Sequence, residues 1–73
     1  MKISIQNTDK IVELNGVPAR VWEGETDSGI SVHCFMTRIS PQTHDNIDAF
    51  EKELIETSAP SPGVLAYPLK MVL

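Results

Sequence analysis

Cysteine is nearly absent: Cys34 stands alone in 73 residues, which excludes an internal disulfide framework and leaves stability to packing, to a partner or to an oligomer. A reducing compartment suits such a chain. No apolar run approaches the roughly 20 residues that a membrane-spanning helix needs. The segment Met1–Gln6 has the alternation of a strand and not the basic and apolar halves of a signal peptide, so a cytoplasmic location is expected. The four glycines, Gly16, Gly24, Gly29 and Gly63, are scattered singly. None has the GxGxxG or GxxxxGK[ST] spacing with which backbone amides cradle phosphate.

Ligands for a metal are equally sparse. His33 and Cys34 are neighbours in a strand-like stretch and point to opposite faces, so they converge neither on one ion nor as a nucleophile and its base. His44 falls in a loop, and a structural zinc needs four ligands. Asp27-Ser28-Gly29 lacks the strand, helix and histidine context of a nucleophile elbow and reads as turn chemistry. The carboxylates Glu23, Glu25 and Asp27 gather at one turn, but acid–base catalysis also needs a pocket that desolvates one of them. The expectation is no metal, no cofactor and no enzyme.

What the chain does have is acid. Its net charge is −4, and residues 23–56 hold eight acids against Arg38 and Lys52, whereas residues 1–22 hold Lys2, Lys10 and Arg20 against Asp9 and Glu13. Direct binding to nucleic acid scales with basic contacts to phosphate, so it is disfavoured, and a partner with a basic surface is favoured.

A three-stranded meander between Lys10 and Ile39 organises the rest. Before it, Lys2-Ile3-Ser4-Ile5-Gln6 alternates as a first strand, with Asn7-Thr8-Asp9 as the turn that follows. Asn15-Gly16 between apolar runs is the signature of a two-residue type I′ hairpin loop. It sets Leu14 opposite Val17, Val12 opposite Ala19 and Ile11 opposite Arg20. Leu14, Val17, Val12, Ala19 and Val21 then share one face.

Taking Thr26–Gly29 as a four-residue loop pairs Trp22 with His33, Val21 with Cys34 and Arg20 with Phe35. Arg20, Trp22, His33 and Phe35 then gather on the second face. Pro18, which lacks an N–H, should end this ladder or bulge it near Thr37, and Gly24 is a second candidate bulge.

Asp45 is placed to cap a helix running to about Thr57, whose apolar stripe is Ile47, Phe50 and Leu54. Asp45, Asp48, Lys52, Glu53 and Glu56 occupy the opposite side. Ala59-Pro60-Ser61-Pro62-Gly63 is a stiff connector, and Val64–Leu73 returns as an edge strand or starts one at Leu69, after Pro68. The fold expected is a single α+β domain over residues 1–73. It is an antiparallel β-meander of three to five strands with one amphipathic helix on its small-residue face.

Three groups of side chains are candidates for binding a protein partner: Glu23, Glu25 and Asp27 at the hairpin tip, Asp45, Asp48, Glu53 and Glu56 on the helix, and the Arg20, Trp22 and Phe35 face. Carboxylates three and four apart on a helix, roughly 5 to 6 Å from one another, can imitate a line of phosphates. Tryptophan and arginine are the residues of binding hot spots.

In size, acidity and want of a catalytic constellation the chain resembles the small accessory proteins of bacteriophages and mobile elements, anti-CRISPR inhibitors among them. That resemblance implies a non-enzymatic inhibitor occupying a basic, nucleic-acid-binding site. The alternative is a small structural or assembly protein that oligomerises through its sheet face or edge strand, so that the chain is a monomer or a homodimer.

Overall fold

A computed structural model describes residues 1–72. The element order is β1 (Ile3–Leu14), β2 (Val17–Thr26), β3 (Ser31–Met36), α1 (Ile47–Ile55), α2 (Pro62–Leu65) and β4 (Lys70–Met71). The fold is α+β as expected, but the sheet, ordered β3-β2-β1-β4, is mixed and not purely antiparallel. The first three strands run antiparallel, whereas β4 lies parallel to β1.

The first hairpin forms in the register that the Asn-Gly pair dictates. Asn15 and Gly16 both take positive φ, 49° and 88°, and Leu14 faces Val17, Val12 faces Ala19 and Ile11 faces Arg20. Upstream, the expected turn at Asn7-Thr8-Asp9 is instead a bulge inside one long strand. Asn7 pairs with Trp22 and Ile11 with Arg20, so Thr8, Asp9 and Lys10 together oppose Val21.

The bulge is paid for in side-chain hydrogen bonds. Fully buried Thr8 donates its hydroxyl to the Val21 carbonyl at 2.7 Å, and the Arg20 guanidinium donates to the Thr8 carbonyl at 2.8 Å. A strand kinked without such partners would leave buried polar groups orphaned.

The second hairpin corrects the expected register by one residue. Thr26 N–H donates to Ile30 O at 2.9 Å, so the loop is Asp27-Ser28-Gly29, with Gly29 at φ 88°. Val21 therefore faces Phe35, Glu23 faces His33 and Trp22 faces Cys34. A slip of one residue exchanges faces: His33 and Phe35 join the small-residue face, and Cys34 and Met36 join Arg20 and Trp22. The ladder does end at Arg20 and Met36, just short of Pro18. Gly24 makes regular pairs with Ile5 and Val32 and is no bulge.

The core is small: Val12, Ala19, Val21 and Val64 are buried, with Leu14, Phe35, Tyr67 and Met71 packed around them. Val64 arrives on α2, not on a strand. Pro62 begins that turn of helix, and Ser61 O accepts from the N–H groups of Val64 and Leu65 at 3.0 and 2.9 Å. The C-terminal segment, and not the long helix, covers the small-residue face. Beyond it the return strand, among the described residues, is Lys70 and Met71, shortly after Pro68, and Leu73 lies outside the described residues.

Helix α1 begins later than Asp45 suggests, with Asn46 at its N-cap and no side-chain capping bond. Its expected stripe is correct: Ile47, Phe50 and Leu54 are its half-buried residues, and the others are exposed. The stripe meets the other side of the sheet. Leu54 shares a groove with Ile11, Arg20, Trp22 and Met36, and its carbonyl accepts from Asn7 Nδ2 at 2.9 Å.

Candidate partner-binding surface

The face that carries Arg20 and Trp22 is only partly roofed by α1. Between strands and helix lies a groove of about 380 Å³ whose lining includes Ile11, Trp22, Met36, Arg38, Ile39 and Leu54. Trp22 is half-buried there, and Ile11 and Ile39 are 49% and 44% exposed at its rim. Arg20 is committed to the bulge through Thr8, so at the groove it contributes position as well as charge. Phe35, expected beside them, lies on the opposite face, its ring edge-on to Tyr67 at 5.1 Å between centroids.

The acids divide between the two faces. Alternation along β2 puts Glu23 and Glu25 on the side of Val21, with Asp27 in the loop beyond, whereas α1 carries Asp48 and Glu53 on the side of Trp22. Asp45 precedes the helix and Glu56 closes it as C-cap. Six of these seven, Glu25, Asp27, Asp45, Asp48, Glu53 and Glu56, are exposed. Among the described residues the one ion pair is Lys70 with Glu13 at 3.9 Å. Asp48 and Lys52, four apart on the helix where opposite charges can pair, do not close into a bridge.

Glu23 is the exception among the acids. Its Oε2 accepts from the Ser61 N–H at 2.8 Å. Hydrogen bonding from the Ser61 side chain first, then from its backbone N–H, with a further contribution from His33, holds the Glu23 carboxyl below its ordinary value of 4.5 against the opposing effect of desolvation. His33 Nδ1 in turn lies 2.8 Å from the Tyr67 hydroxyl. Glu23, His33 and Ser61 line a second cleft, of about 490 Å³, with Gly24, Glu25, Ser31 and Val32. These contacts fasten the C-terminal segment to the sheet.

Among the described residues no group of three or more His, Cys, Asp or Glu side chains is placed to hold a metal, and no helix is long and apolar enough to cross a membrane. The sequence reading missed Met36 and Ile39 as groove residues. Met36 was hidden by the one-residue register error, and Ile39 lies beyond the strand, where alternation carries no signal. No protein-family model, no curated protein and no solved structure matches the chain.

Proposed function

We propose that this protein is a non-enzymatic protein-binding module whose acidic surface occupies a basic site on a larger partner, the kind of site that otherwise holds nucleic acid. The observation that carries this reading is the set of six exposed acids, Glu25, Asp27, Asp45, Asp48, Glu53 and Glu56, none of them ion-paired among the described residues. Their division between both sides of the sheet suits a channel lined with basic residues on two walls better than a flat patch. Charge left uncompensated within the fold is available to steer and hold a partner of opposite sign. The Trp22 groove then supplies the apolar anchor that charge alone does not.

A phage-type inhibitor of an RNA-guided nuclease is the specific form of this reading. The test is to titrate the protein against such basic nuclease complexes in competition with their nucleic acid. Association should weaken more than tenfold between about 50 and about 500 mM NaCl. Reversing Glu25, Asp27, Asp48 and Glu53 to lysine should abolish it, and Trp22→Ala should cost less. Binding that ignores both salt and charge reversal would sink the proposal. A second reading, assembly through the sheet, is favoured by the open edge of β3.

A further inference from the structure

The two edges of the sheet differ in kind. On one side β4 is two residues long, follows Pro68 and carries Lys70, and β1 is met at Thr8 by a bridge from Ser58. Short strands, proline and lysine are the devices that keep an edge from pairing with another chain. On the other side β3, Ser-Val-His-Cys-Phe-Met, has none of them: six residues, no proline, no glycine, no lysine and no carboxylate.

The hydrogen bonds of the hairpin say which of its backbone groups are free. Thr26 N–H donates to Ile30 O, so Thr26 and Ile30 face each other with their polar groups turned inward. By alternation Val32, Cys34 and Met36 also turn their N–H and C=O toward β2. Ser31, His33 and Phe35 turn theirs outward, and among the described residues these meet no backbone or side-chain partner.

We infer that β3 pairs with β3 of a second copy of this chain, antiparallel about a two-fold axis normal to the sheet, joining two four-stranded sheets into one of eight. This rests on the assembly reading and adds its surface and register. The axis keeps like faces together, so outward-turned residues must oppose one another. The register that uses all three sets His33 opposite His33 and Ser31 opposite Phe35, making six hydrogen bonds from the three residues of each copy. Val32 then stands opposite Cys34, on the face of Trp22 and Met36. A second copy fits because the strand is self-complementary and carries no carboxylate or ammonium to repel its image. Each copy's net charge of −4 nevertheless repels the other at a distance, so salt should strengthen this contact. That is opposite in sign to its effect on a basic partner.

The test is sedimentation equilibrium of the full chain from about 10 µM to about 1 mM, at low and at high salt. A monomer–dimer equilibrium is expected, tightening several-fold as salt rises. Ser31→Pro removes two of the six bonds without touching the β2 ladder, and Val32→Lys puts a charge at the seam. Each should shift the equilibrium toward monomer at least tenfold while leaving the circular dichroism spectrum and melting transition of the monomer in place. Val32→Cys places a thiol opposite Cys34 of the second copy, and mild oxidation should give a covalent dimer on a non-reducing gel. A strict monomer at the highest concentration, or faster crosslinking through the wild-type Cys34 alone, overturns the inference. So does a monomer whose Ser31, His33 and Phe35 amides become protected only when a basic partner is added, an outcome that would leave the acidic-module reading standing.

Discussion

At Gly24 two strands come closer than a side chain would allow. A Cβ there would sit 2.7 Å from Ile5 Cα and closer still to the Ser4 carbonyl, both backbone atoms held in the β1–β2 ladder. Gly24→Ala is therefore expected to destabilise by roughly 1–3 kcal/mol, the range for forcing an extra methyl into a packed site. Urea unfolding measures it, and an unchanged midpoint would show that the strands part freely. Glu23 acts through protonation. Its folded pKa is depressed by Ser61, so its stabilising effect is complete above its ordinary value of 4.5 and is lost as pH falls through the lower folded value. Glu23→Gln should therefore be less stable than wild type at neutral pH and converge with it once pH has fallen through that lowered value. Parallel thermal melts across that range test this, and a constant difference would contradict it.

Among the elements, α1 is the one with least to lose. It has no buried residue and no side-chain cap, and its described hydrogen bond to the strands runs from Asn7 Nδ2 to the Leu54 carbonyl. Segments with few buried apolar contacts open at low free energy. Amides of α1 should exchange with solvent well before those of β1 and β2. Asn7→Ala should speed α1 exchange further, by up to about tenfold per 1.4 kcal/mol lost from that bond. Equal protection in helix and sheet would refute this.

The helix also shows how much was readable beforehand. Its stripe of Ile47, Phe50 and Leu54 follows from helical period, which is local, but the face it meets is decided by what else competes for the core. Val64 and Tyr67 won that competition, from a segment whose apolar residues carry no clear period. The Asn-Gly hairpin was readable to the residue because a two-residue loop permits one register. The second loop admitted both three and four residues, and that single count moved His33 and Phe35 to the other face. At Asn7–Lys10 the same polar residues serve a turn or a bulge. The choice rests on Val21 and Arg20, which receive and donate the bonds from across the sheet.

For the whole molecule the balance of charge sets the response to its surroundings. Ten acids against six bases, with one ion pair among the described residues, make the folded state repel itself. Screening that repulsion should raise the melting temperature by a few degrees between about 20 and about 500 mM NaCl, because a Debye length that spans the domain at low salt shrinks below its radius. The rise should shrink in a variant with Glu53 and Asp48 changed to their amides, since both are exposed and without an ion pair among the described residues, and their loss lowers the net negative charge. If added salt lowers the melting temperature instead, the acids are compensated within the fold. The uncompensated surface invoked for partner binding would then be gone, which makes this inexpensive measurement on the free protein a direct check on the premise of its proposed function.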